Sequence, residues 1–315
     1  MTFSRPTLPK TRPSLVAALF LATAGIAQAQ QFEFASQEQA RGMLGRQDAY
    51  VRSTAAFERS VLLKTEEAVS PERFARAMAE TALDWSEEER RAFADVLARL
   101  QRFLAPMRWN APSSILLVKA SDRLMGGFPH TRANAIVLQE GMLRDALAKP
   151  ALMDYLMAHE TFHVLTRADA ELREELYNAI GFYACASADL PAALAELRLT
   201  NPDEPERRYA IRLPRGEVMP LVHFASHAID ATKGIGPYAR TSWLPVERGA
   251  GKCRVRDERM TTEELEGLYE RVGRNTAYVI HPEEILADNF ALLFRPAANA
   301  VSSDVLTRIE RILRP

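Results

Sequence analysis

The feature that most constrains this chain is the run Leu156-Met157-Ala158-His159-Glu160-Thr161-Phe162-His163-Val164-Leu165. It holds two histidines four positions apart between apolar flanks, with no Pro or Gly to interrupt a helix. On a helix, positions i and i+4 share one face. Two imidazoles so placed can hold one Zn²⁺ from one side, at roughly 2.0–2.1 Å each. Glu160 would then reach a water on that metal as general base. The flanking Leu, Met and Val predict a buried helix, and a buried helix keeps polar groups only where they have partners.

The N-terminus predicts export. Arg5, Lys10 and Arg12 form a positive region, and Leu15 to Ile26 form an apolar run too short to span a bilayer. Ala27-Gln28-Ala29 supplies a small-x-small cleavage signature, so residues 1–29 read as a signal peptide cut after Ala29. With no Cys after the run and no twin arginine, a Sec-type route to the periplasm or exterior is expected. Removing residues 1–29 takes away three positive charges and no negative one, bringing the formal charge from −1 to −4. That balance offers no basic stripe for nucleic acid, and no later apolar run is long enough for a membrane helix.

In an oxidising compartment Cys185 and Cys253 can form one disulfide closing a long loop. Buried free thiols and thiolate zinc ligands are the other two possibilities.

The expected fold class is α+β and mainly helical. Residues 30–105 predict an N-terminal helical region, with helices over Gln37–Arg46, Ser53–Ala68 and Pro71–Leu83. Ser86-Glu87-Glu88-Glu89 caps a fourth, whose inner face is Phe93, Val96, Leu97, Leu100 and Phe103. Residues 106–315 form the second region. Ser114–Lys119 and Ala133–Leu138 predict strands ahead of the motif helix, Ala151–Arg167. A further helix is expected over Ala170–Tyr183, then a β-rich insert at about 201–256, with strands at Tyr209–Leu213, Val218–Phe224 and Cys253–Arg256. Helices at about 261–272, His281–Phe294 and Ser302–Leu313 complete the chain.

A catalytic zinc takes three protein ligands and leaves a position for water. A His-x-x-Gly-x-x-His continuation is absent: Thr166 stands at the Gly position and Asp169 at the last, where Asp169 reads best as a helix cap. The alternative is a Glu from a later helix. In Glu284-Ile285-Leu286-Ala287-Asp288-Asn289-Phe290-Ala291, Glu284 and Asp288 share one helix face, so Glu284 can ligate while Asp288 backs a ligand histidine. Glu283 is adjacent to Glu284, but only Glu284 sets Asp288 at i+4.

His-Glu-x-x-His followed by Glu-x-x-x-Asp resembles the gluzincin metallopeptidases, as in thermolysin-like enzymes. The wording Glu-x-x-Ala-Asp-x-x-Ala is similar to that of HtpX-like and prenyl-protease-like peptidases. The likeness covers the two helices and the strands before the first, and the chain lacks the membrane spans of the HtpX-like enzymes. It implies a zincin-like core: a short sheet, an active-site helix and a ligand helix. It also implies a peptide or protein substrate, His159, His163 and Glu284 as zinc ligands, Glu160 as base and Asp288 behind the ligands.

An oxyanion donor is also needed. Tyr278 and His281 are the first candidates, with Tyr238 or Arg240 available from the insert. His223 and His227 stand at i,i+4 spacing without a neighbouring acid and read as structural, and His130 has no nameable partner. The competing expectation is a non-catalytic envelope protein that binds or assembles partners, with zinc as a staple or absent.

Overall fold

The computed structural model describes residues 31–110, 112–124, 127–206, 209–249, 252–296 and 301–314, so the expected signal peptide lies outside the described residues. Within them the chain is α+β. No described helix is long and apolar enough to cross a membrane.

The first part runs β1 (Gln31–Phe34), α1 (Gln37–Leu44), α2 (Ala49–Ser53), α3 (Ala56–Leu62), α4 (Pro71–Ala79), β2 (Ala82–Leu83) and α5 (Glu87–Leu104). Local chemistry sets the helix starts. Ser36 with Gln39 and Ser86 with Glu89 form reciprocal capping boxes, Asp48 caps α2, and Ser70 caps α4 ahead of Pro71. The region is not purely helical as expected. β1 pairs in parallel with β3 (Ser114–Ala120), and β2 pairs antiparallel with the end of the same strand.

β4 (His130–Arg132) and β5 (Ala135–Gln139) complete this sheet, in the order β1-β3-β5-β4. The period-two alternation of its strands feeds two helical layers. Ile115, Leu117, Ile136 and Leu138 face the core of α5 and the later helices. Val118, Ala120, Ala135 and Val137 face α1, α2 and α4. Every residue of β5 is buried, as expected for a strand covered on both sides.

α6 (Glu140–Ala148), α7 (Pro150–Ala168) and α8 (Ala170–Ala179) follow. Helix α6 was not expected; it starts directly from β5 with no side-chain cap. Helix α8 stops four residues before the expected Tyr183. Gly181, at φ +89°, turns the chain into β6 (Phe182–Ala184), so the β-rich part begins there and not at about 201. It continues through β7 (Ala188–Asp189), α9 (Ala192–Leu197), β8 (Tyr209–Leu213), β9 (Gly216–Phe224), β10 (Ala239–Gly249) and β11 (Lys252–Val255). The sheet order is β6-β8-β9-β10-β11-β7.

Cys185, after β6, and Cys253, in β11, form a disulfide with Cα atoms 5.6 Å apart. The helix expected at about 261–272 is broken by Gly267 at φ +83°, leaving a short 3-10 turn and α10 (Leu268–Val272). Finally, α11 (Pro282–Phe294) and α12 (Ser303–Leu313) pack into the core shared by α5, α7 and α8.

Candidate metal centre

Helix α7 carries the motif. Pro150 at its first turn presets the helical φ, and the 19 residues that follow the cap run unbroken to Asp169. From Leu156 to Thr166 every residue is buried except His159, so the polar groups here must meet partners within the fold. Helix α11 supplies them to the two histidines and Thr166, while Glu160 Oε2 and Thr161 Oγ1 have none. Phe290 of α11 packs against Phe162 of α7 with ring centroids 5.3 Å apart, and Phe103 and Trp109 close around the same ring. This packing brings the first two turns of α11 beside the histidines.

The two imidazoles stand edge to face, centroids 4.7 Å apart. Glu284 Oε2 lies 3.2 Å from Nε2 of His159 and 3.7 Å from Nε2 of His163. The opposite nitrogens face other carboxylates: Nδ1 of His159 lies 2.9 Å from Asp288 Oδ1, and Nδ1 of His163 lies 2.9 Å from Glu283 Oε1. Glu283 is fixed in turn. Thr166 donates to its Oε1 at 2.5 Å and Tyr177 donates to its Oε2. The hydroxyl of Tyr155 likewise donates to Asp288. Each histidine is therefore oriented from behind while both Nε2 atoms converge on one oxygen.

The segment after α9 closes the site. Asn201 donates to Glu284 Oε1 at 2.7 Å. Asp203 accepts from the backbone and hydroxyl of Thr131 at 2.6 and 2.7 Å, and Arg167 braces its carbonyl at 2.7 Å. Asp203 also brings a carboxylate oxygen close to Glu160 and His163.

Electrostatically the cluster is starved of positive charge. Burial alone would lower the pKa of both histidines. The surrounding carboxylates outweigh it, raising His163 to about 9 and His159 well above its ordinary value. Glu284 and Asp288, although partly desolvated, are held below the usual carboxylate range, mainly by the histidines. Glu160 moves the other way: burial, and then Asp203, push it up to about 8.

The structure thus brings together His159, Glu160, His163, Glu284 and Asp288. It separates the other candidates. Asp169 caps α8 through Leu172 and accepts from the Asn110 backbone, and it takes no part in the cluster. Glu283 does not join the His159–His163–Glu284 group; it backs His163 instead.

Tyr278 lies on the wall of the adjoining cavity. His281 stands at the N-cap position of α11 without a side-chain cap bond, its Nε2 3.3 Å from Glu204, and is not on that wall. Tyr238 accepts from the Asp230 backbone and Arg240 donates to nearby carbonyls; neither lines the cavity. His223 is bound by Ser242 at 3.0 Å, whereas exposed His227 meets Phe57 edge to face, so the two share no metal geometry. His130 sits beside Gln139 at 3.3 Å, and burial lowers it to about 4.

Thr166, Tyr177, Asn201 and Asp203 escaped the sequence reading. The local signal that could have drawn attention to this segment is the turn chemistry of Asn201-Pro202-Asp203.

No protein-family model, curated protein or solved structure matches this chain. His163 Nε2 is buried and has no hydrogen-bond partner, although the ring is held in place from its other side. Two imidazole nitrogens and one carboxylate, in a pocket that draws positive charge, form a donor set that suits a borderline-soft divalent cation. The residues fit a zinc ion.

Proposed function

We propose that this chain is an exported zinc-dependent hydrolase of gluzincin type, with a zincin-like core, that cleaves peptide bonds. The observation that carries the reading is the convergence of both Nε2 atoms on Glu284 while Asp288 and Glu283 hold the opposite nitrogens. His159, His163 and Glu284 would hold the ion. Bound there, zinc would supply a Lewis acid that polarises a carbonyl and makes water more acidic.

The chain's own groups do the rest. Glu160 Oε2 is buried without a hydrogen-bond partner, in the cavity wall beside His159. That oxygen takes the proton of the attacking water and returns it to the leaving amine. Asp288 and Glu283 keep the imidazoles in the tautomer whose Nε2 carries a lone pair. Tyr278 stands on the same wall as the donor for the developing oxyanion.

The test is hydrolysis of a broad peptide library by the zinc-loaded chain, abolished by chelator and restored by zinc. A chain that carries zinc and cleaves nothing in that library would instead favour a binding protein stapled by its metal.

A further inference from the structure

Beside the histidines opens a cavity of about 630 Å³. Its size lies within the roughly 300–1,000 Å³ of pockets that enclose compact ligands. The walls are of two kinds. At the metal centre they are acidic: Glu160, Asp203, Glu284 and Asp288, with Glu58 in the wall supplied by α3. Elsewhere they are apolar, formed by Leu62 of α3, Leu199 and Val222 of the β-rich part, and Ile235 of the loop between β9 and β10. Ile235 packs both on the core around α1–α4 and on the cluster of Leu199 and Phe224, so it joins the two sides of this arm. Among the described residues lining the cavity there is no Lys or Arg.

We infer that this arm takes a bulky aliphatic or aromatic side chain of the substrate and rejects an acidic one. The inference rests on the hydrolase reading for its occupant, a peptide. An apolar side chain entering the arm leaves water for Leu62, Leu199, Val222 and Ile235. An acidic side chain would give up its hydration among these apolar walls, with Glu58 in the same wall and no Lys or Arg among the described lining residues to receive it. Residues 30–105 therefore help to set specificity, because Leu62 and Glu58 come from them.

The experiment measures binding, so that it does not depend on turnover. Blocked peptides Ac-Ala-Phe-Ala-NH₂, Ac-Ala-Lys-Ala-NH₂ and Ac-Ala-Asp-Ala-NH₂ are titrated calorimetrically into the full chain purified without added metal. The Phe peptide should bind at least about tenfold tighter than the Asp peptide. Ile235→Trp, which fills the arm, should weaken the Phe peptide several-fold. Should that variant not melt cooperatively, Ile235→Ala should weaken the same peptide by removing its contact.

Equal or tighter binding of the Asp peptide, no binding of any peptide at millimolar concentration, or an unchanged Phe affinity in the folded variants would overturn the inference. A clear Phe preference in a chain that hydrolyses nothing when loaded with zinc would leave the arm standing and remove the hydrolase reading.

Discussion

Glu283 Oε1 lies 2.9 Å from Nδ1 of His163, and the same carboxylate accepts from Thr166 and Tyr177. Glu283 is buried yet held below the usual carboxylate range, by hydrogen bonds and the charge of His163 that outweigh burial. An ionised carboxylate can only accept, so Nδ1 donates and the ring presents Nε2 toward Glu284. Removing such a partner typically costs 10–100-fold in metal affinity. Glu283→Gln should therefore weaken zinc binding by about that factor, and Asp288→Asn should do the same through His159. Competition against a chromophoric chelator measures both, and wild-type affinity in either variant would remove its carboxylate from the account.

Glu160 does not contribute an oxygen to the His159–His163–Glu284 group. Glu160→Gln is expected to keep its zinc and lose activity by about 10²–10⁴-fold, the usual share of general acid–base catalysis. Activity is read on whichever library peptide the wild type cleaves, with metal content measured on the same sample. A fully active variant would sink the proposed role.

A third prediction concerns stability and pH. Burial pushes the Glu58 carboxyl up to about 7, against the Thr200 hydrogen bonds and Arg198, which pull it down. Arg59 and Tyr50 also feel its charge. The folded state then holds this proton more tightly than the unfolded chain. The contribution is fully present below about pH 4.5 and is lost as pH rises through about 7. The loss is on the order of 2–3 kcal/mol. Glu58→Gln cannot ionise, so its urea-unfolding free energy should fall less between pH 4.5 and 8 than that of the wild type. Parallel curves would show that Glu58 does not titrate in this window.

The disulfide gives a fourth. Cys185 and Cys253 are 68 residues apart in sequence, and closing that loop removes unfolded-state entropy worth about 4 kcal/mol. Cys185→Ser with Cys253→Ser should lower the unfolding free energy toward that extent under oxidising conditions. Two free thiols titrated in the unfolded wild type would contradict the bond.

Much of the centre was legible because it is local. The i,i+4 spacings His159–His163 and Glu284–Asp288 each fix a shared helix face, and the cap at Ser86 is written within four residues. What escaped the sequence depends on packing. Asn201 meets Glu284 from 83 positions away, and Tyr177 meets Glu283 from 106, through contacts no spacing rule encodes.

Strand β10 was not expected, and Pro245 stands inside it. In the fold Pro245 ends the β9 ladder, and pairing with β11 starts one residue later. Gly181 and Gly267 could be seen in the sequence, but the left-handed turns they make there could not.

The three-ligand zinc centre is tested by zinc per chain in protein never exposed to chelator, measured by elemental analysis for wild type beside Glu284→Ala. About one zinc is expected in the wild type and much less in the variant. No zinc in the wild type, or a full equivalent retained by a folded Glu284→Ala, would contradict it.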